Sequence, residues 1–413
     1  MGAIVAQHLE DAAALRGVRS VLVRAPHVRL HQLGRTDERL AAHLDGLAES
    51  GDAAGTMATA ALADPDRNTL FVAAVLAITR QDAQALDKLL SIAEALPALR
   101  SGLVSAFGWV PAASLRGITK PLLDSAQAFR RGIGLASCAP HLVSPGSALD
   151  EALADPAVQW QAVRLAARLG DPTRLGVCLD LLKSPDPLVQ AEAARAALLL
   201  GNRDQAVEAL AGLARKPGSL RHGAQSLVAK VLHPADARAL LRPLAQTPAD
   251  ARLLIHGAAV AGDPHYVPWL IKQMADRKLT RLAGEAFSMI TGLDLAYLDM
   301  DTKPPIDGDT AGPSDDPADD NVALDDDESL PWPDAAKIAA WWQQNGARFQ
   351  QGSRYFIGAP PTPQHCLSVL NGGFQRQRIA AAEYLCLLQP GTPLFNVAAP
   401  ASRQQRLLSQ MGA

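Results

Sequence analysis

The sequence predicts an all-α chain, an α-solenoid of stacked helix hairpins, and three observations carry that reading. The first is a period of about 31 residues: Asp155-Pro156 recurs as Asp186-Pro187, and the same step lands on Pro217-Gly218 and Pro248-Ala249. The second is the apolar register inside each period. Val158, Ala162, Leu165 and Leu169 return as Val189, Ala193, Ala196 and Leu200, then as Leu220, Ala224, Leu227 and Val231, which is the stripe of one helix face. The third is composition, 48% hydrophobic but only 4% aromatic, so the apolar content is chiefly Ala and Leu, small enough for close helix pairs. A unit of this size cannot bury its own apolar face and must stack on copies of itself.

The elements follow in chain order. Residues 1–61 are expected to form an N-terminal helical cap: one helix from Ile4 to Val23 stopped near Pro26, and another from Thr36 to Leu47 with Thr36 as its N-cap. Residues 62–298 hold the array. Leu99 to Leu103 aligns with Phe129 to Ile133, and a still earlier helix spans Leu70 to Leu76, giving seven to eight units over about residues 62–292. Second helices show Leu175, Cys178, Leu179 and Leu182 returning as Ala206, Ala209, Leu210 and Leu213, then as Ala237, Leu240, Leu241 and Leu244, and after a one-residue loss as Val267, Leu270, Ile271 and Met274. Gly170-Asp171-Pro172 and Gly262-Asp263-Pro264 sit between paired helices, where Gly takes the left-handed C-terminal cap and Asp-Pro opens the next helix.

Charge marks the next boundary. The net charge of -3 conceals a stretch from Asp299 to Leu330 with 12 acidic residues against Lys303 alone, while the other 38 basic and 30 acidic residues leave the body at +8. Rich in Pro and Gly, residues 299–330 read as an acidic, self-repelling linker. No Asp-rich loop with Gly at its sixth and Glu at its twelfth position supports calcium there. Residues 331–413 form a C-terminal helical segment, with one helix through Trp341-Trp342, one from Gln375 to Leu388 and a short last one from Arg403 to Met411, expected to cap the array.

The 31-residue spacing and the Asp-Pro-x-Val-x-x-x-Ala pattern resemble HEAT-like repeats of the short, phycobilisome-lyase type. The flanking motifs sharpen the resemblance. Asp37-Glu38-Arg39-Leu40 with Ala42 to Leu47, Ile290-Thr291-Gly292, the acidic run, Leu330-Pro331-Trp332-Pro333, Trp341-Trp342, Gly352-Ser353-Arg354-Tyr355, Gln375-Arg376-Gln377-Arg378 and Leu394-Phe395-Asn396 look like a bacterial HEAT-repeat family whose genes often lie in type VI secretion clusters, near those for PAAR-like spike-tip proteins and adaptors. The resemblance implies a cytoplasmic adaptor or chaperone that binds a secretion effector, a PAAR-like tip protein or another adaptor. An immunity protein that binds a cognate toxin, or an effector enzyme whose site is scattered through the sequence, are the alternatives.

Catalytic signals are missing. The chain carries no nucleophile elbow, no phosphate-binding loop and no His-Glu dipeptide of the kind that holds iron in some HEAT-like proteins. His27 and His31 stand four apart without the Glu that a zinc helix needs, and Cys138, Cys178, Cys366 and Cys386 lie too far apart for a zinc knuckle, so they are expected as buried thiols. No enzyme, cofactor or metal is therefore expected. A membrane partner is not expected either, for want of an 18-residue apolar stretch and a signal pattern, and nucleic acid is disfavoured because the basic residues are not interleaved with aromatics.

Two features remain as candidate binding sites. One position of the first helix in successive units reads Arg100, Arg130, Gln159, Gln190, Arg221, Arg252 and Arg281. Stacking sets these side by side, as a stripe for a partner or for the acidic segment itself, although the same position also serves contacts between repeats. Trp332, Trp341 and Trp342 cluster beside the linker and suit either a partner anchor or a small core.

Overall fold

The computed structural model describes residues 2–304 and 327–412. Asp307 to Asp326, most of the expected linker, lie outside the described residues. The fold is all-α, with a single two-residue strand pair among the described residues. Compactness divides the chain into two units, Met1–Asn202 with Leu370–Ala413, and Arg203–Val369. The C-terminal stretch is thus shared between them.

First helices of the hairpins run over Arg67–Thr79, Arg100–Trp109, Ala128–Cys138, Gln159–Leu169 and Pro187–Leu199 in the first unit, and over Arg221–Val228, Ala251–Ala261 and Thr280–Thr291 in the second. The register read from sequence is the buried one: Val158, Ala162 and Leu165, then Val189, Ala193 and Ala196, are all within 1% of complete burial. Arg67–Thr79 departs from amphipathicity because every residue from Leu70 to Ile78 is buried, as befits a helix covered on all sides. Asp171 and Asp263 accept the amide protons of Thr173 and His265, and Gly170 and Gly262 hold φ of 66° as left-handed caps, the cap chemistry expected.

The N-terminal region corrects one boundary. Helix Gly2–Leu22 is followed by Leu30–Glu49, which begins six residues before Thr36. Thr36 is interior. The start is set instead at Arg29, whose amide donates to Gln32 Oε1 at 2.8 Å, and by an apolar face that begins at Leu30 and Leu33. A third helix, Gly51–Ala61, was not foreseen, because its Gly- and Thr-containing sequence has weak propensity.

In each unit, later chain crosses the C-terminal ends of first helices. In the first unit, Leu394 N–H donates to the Arg168 carbonyl at 2.9 Å, and Arg403 reaches the carbonyls of Gly108, Trp109 and Val110 at 2.9–3.2 Å. In the second, Arg354 donates to the carbonyls of Ala229, Leu232 and Ala261, while Tyr355, Ile357 and Gly358 donate to those of Gly262, Met289 and Ile290. Helix ends leave carbonyls without intrahelical partners, and these segments supply the donors. Contact is close enough to need glycine: a Cβ on Gly262 would stand 2.1 Å from the Tyr355 carbonyl oxygen.

Asp301–Thr302 pairs antiparallel with Trp332–Pro333. The described residues on either side of the acidic run are therefore paired with each other in the second unit.

Candidate functional site

A cleft of about 710 Å³ opens in the first unit. The helix Gly2–Leu22 and the turn after it supply Arg16, Arg19 and Arg24; three first helices supply Arg67, Arg100, and Arg164 with Arg168. Phe71, Trp109 and Trp160 stand among them, and Asn396, Ala398, Ala399 and Pro400 form the wall contributed by the C-terminal tail. Among the described residues, seven arginines and no Asp or Glu line the cleft.

Counter-charge is scarce around them. Arg19 pairs with Asp37 at 2.5 Å and Arg164 pairs with Glu192. Arg16, only 6% exposed, meets neutral groups instead: Asn68 Oδ1 at 2.8 Å, Ser105 Oγ at 3.1 Å and the Ser101 carbonyl at 3.4 Å. Burial, with the nearby charges of Arg67 and Arg19, holds its pKa below the ordinary arginine value. Arg168 is more extreme. Its guanidinium makes no hydrogen bond or ion pair among the described residues, and burial, then repulsion from Arg195 and Arg164, pushes it down to about 10. Glu192 offsets this only through longer-range attraction. Even so the group is charged at neutral pH, and a cation so placed lacks the solvation it had in water.

The tail wall is fixed by a buried polar cluster. Arg378, completely buried, donates to the Leu370 carbonyl at 2.6 Å, to Gln404 Oε1 at 2.6 Å and to Gln375 Oε1. Gln375 and Gln404 in turn donate to the carbonyls of Val397 and Ala399 at 2.6–3.1 Å, and Gln375 also to that of Val23 at 3.3 Å. The Gln-Arg-Gln-Arg motif thus holds the backbone that lines the cleft.

The arginine ladder is placed elsewhere, except for Arg100. Its side chains reach the C-terminal end of the preceding second helix: Arg100 to the Ala93 carbonyl at 3.0 Å, Gln159 to Leu153 at 2.6 Å, Gln190 to Leu182 at 2.8 Å and Arg221 to Ala214 at 3.3 Å. Gln and Arg alternate because both offer an N–H donor at that reach, and a helix C-terminus favours either the donor or the charge. Arg130 also pairs with Asp87 at 2.6 Å and Arg221 with Asp250 at 2.8 Å. Arg252 grips Asp327, 3% exposed, through two bonds of 2.7 and 2.9 Å, so one acid of the acidic segment docks on the ladder. Arg281 lies 4.8 Å from the centre of the Trp332 ring. Trp341 and Trp342, both partly exposed, pack with Phe287, Phe349 and each other against the core of the second unit.

Sequence reasoning missed Arg16, Arg19, Arg24, Arg67, Arg164 and Arg168. One signal existed: Arg164 recurs 31 residues later as Arg195, and Arg168 follows Arg164 by one helical turn. Elsewhere the chemistry is quiet. All four cysteines are buried, and burial pushes Cys138 up to about 11 and Cys178, Cys366 and Cys386 to about 12, so none is a thiolate nucleophile. His27 and His31 are both exposed, and no group of three or more His, Cys, Asp or Glu that could hold a metal occurs among the described residues. No single helix among them is long and apolar enough to cross a membrane.

Hairpin stacking defines an all-α array of the α-solenoid class. A family model for HEAT repeats matches residues 147–229. No curated protein and no solved structure matches the chain. The matched span includes the hairpins that carry Arg164 and Arg168, and HEAT repeats commonly serve as surfaces for protein interaction.

Proposed function

We propose that the protein is a non-enzymatic scaffold that binds a protein partner, and that it serves as a cytoplasmic adaptor or chaperone in loading a type VI secretion effector or PAAR-like tip protein. The observation that carries the binding reading is the cleft of the first unit, an open, aromatic-flanked space lined by seven arginines, with no Asp, Glu, His or Cys among the described residues that line it. The secretion context rests on the resemblance of the flanking motifs alone. The ladder stripe and the Trp332, Trp341 and Trp342 cluster remain proposed secondary contacts, and Asp327 on Arg252 supports the idea that the acidic segment competes for that stripe.

Co-expression with the products of neighbouring genes tests this. A stoichiometric complex with an effector, tip protein or adaptor, surviving size-exclusion chromatography, is the expected result. A complex that forms only with a toxin and abolishes its activity would select the immunity reading instead, and failure to bind any neighbouring product would remove the adaptor reading.

A further inference from the structure

We propose that the cleft of the first unit receives a carboxylate-bearing segment of the protein partner, an acidic side chain inserted toward Arg168 and Arg16 with apolar neighbours against Trp109 and Trp160. This rests on the protein-binding reading and names the chemistry of the bound segment. The argument begins with an imbalance. Five of the seven cleft arginines make no ion pair among the described residues. Of these, Arg24, Arg67 and Arg100 are exposed to water, Arg16 is buried, and half-buried Arg168 makes no hydrogen bond through its guanidinium among the described residues. A protein interior ordinarily supplies such a group with acceptors, because an unmatched charge away from water is costly. Here the acceptors are not among the described residues, and the space in front of the charge is open.

Shape and lining choose the occupant. A cavity of about 710 Å³ has the size that encloses a few side chains. A nucleic-acid strand needs a long groove with regularly spaced phosphate contacts and stacking platforms. Val23, Val104, Leu135, Leu165, Pro140 and Pro400 share the lining with the arginines, which suits a peptide whose acid is flanked by apolar residues. Arg16 is held in place by Asn68 and Ser105, and neutral holders of this kind orient a guanidinium without neutralising it. Two N–H groups of an arginine match the two oxygens of a carboxylate.

The test uses the full chain and fluorescein-labelled peptides of about twelve residues, read by anisotropy. One carries Asp and Glu among Leu and Val, one has Asn and Gln at the same positions, and one is acid-free with a free C-terminal carboxylate. A single-stranded oligonucleotide and inorganic phosphate complete the set. The acidic peptide is expected to bind, more weakly as salt rises, and the Asn/Gln peptide is not. Arg168→Gln, with an unchanged thermal midpoint, is expected to weaken acidic-peptide binding about 10- to 100-fold, the loss of one charge-assisted pair. Arg215→Gln, an exposed arginine of the second unit, should leave it unaltered. Binding that survives Arg168→Gln, or is as strong for the Asn/Gln peptide, overturns the proposal. Tighter binding of the oligonucleotide or of phosphate does the same in favour of those ligands, and preference for the acid-free peptide moves the carboxylate from side chain to chain end. If no peptide binds while a neighbouring gene product still co-purifies, the inference falls and the scaffold reading stands.

Discussion

The two units are built from the same hairpins and rely on the same side chain, yet they treat its charge differently. In the second unit, Arg221, Arg238 and Arg252 meet Asp250, Asp263 and Asp327, and Arg354 meets three helix-end carbonyls. In the cleft of the first, among the described residues, carboxylate partners are found for Arg19 and Arg164 alone. Arginine that finishes a helix end or bridges repeats is part of the fold. Arginine left facing open space in a partly desolvated cleft raises the energy of the fold, and the same property makes it useful for binding.

The largest test of this contrast is Arg378, the buried cation that holds the tail segment behind the cleft wall. Arg378→Met removes a completely buried guanidinium and leaves the oxygens of Gln375, Gln404 and Leu370 without donors. A loss of about 3–5 kcal/mol is expected, read as a lowered unfolding midpoint and faster hydrogen exchange at Val397 and Ala399. A change under about 1 kcal/mol would mean that the cluster does not hold the tail. In the second unit the corresponding attachment is backbone to backbone. Gly262→Ala forces a side chain into a left-handed conformation and into the Tyr355 carbonyl, so about 2 kcal/mol or more should be lost, with exchange accelerated at Tyr355.

A matched pair of substitutions sharpens the comparison through its sign. Arg252→Met removes the two-bond partner of the buried Asp327 carboxylate; with 41% of the Arg252 side chain exposed, solvent already screens part of that pair, and the expected loss is about 1–3 kcal/mol. Arg168→Met removes a cation that has no hydrogen-bond or ion-pair partner among the described residues, and stability is expected to stay within about 1 kcal/mol or to rise. Equal losses at both positions, measured by denaturant unfolding, would erase the distinction between the units.

That distinction was only partly legible in the sequence. The ladder could be read because periodicity reports which face of a helix a residue occupies, and the capped ends because Gly-Asp-Pro has a local mechanism. Thr36 misled because a good N-cap residue yielded to an apolar face that begins earlier at Leu30 and Leu33. The cleft was out of reach for a different reason. Its charge balance depends on Arg16, Arg168 and Pro400 meeting in space, and no local pattern reports whether a carboxylate will join them. The body's excess of +8 was visible, but its location depends on long-range packing.

The smallest expected effect compares one partly desolvated histidine from each unit, half-buried His141 and the more exposed His222. Burial lowers the pKa of His141 and of His222 below the ordinary 6.5. His141 Nε2 lies 2.8 Å from the Phe107 carbonyl, a bond that favours the protonated form and partly opposes the shift; nearby Lys230 adds to the shift at His222. Each folded pKa lies below its unfolded value, so the unfolded chain takes up the proton first. The stability contributed by the neutral rings is therefore complete above about pH 6.5 and declines as pH falls through the interval between the unfolded and folded values. Unfolding midpoints measured from pH 7.5 to 5 should fall, and His222→Asn should flatten that decline for amides of the second unit while leaving those around His141 unchanged. A midpoint that rises on acidification over this range would reverse the sign and place both rings in contact with an acid instead of in a desolvated neutral state.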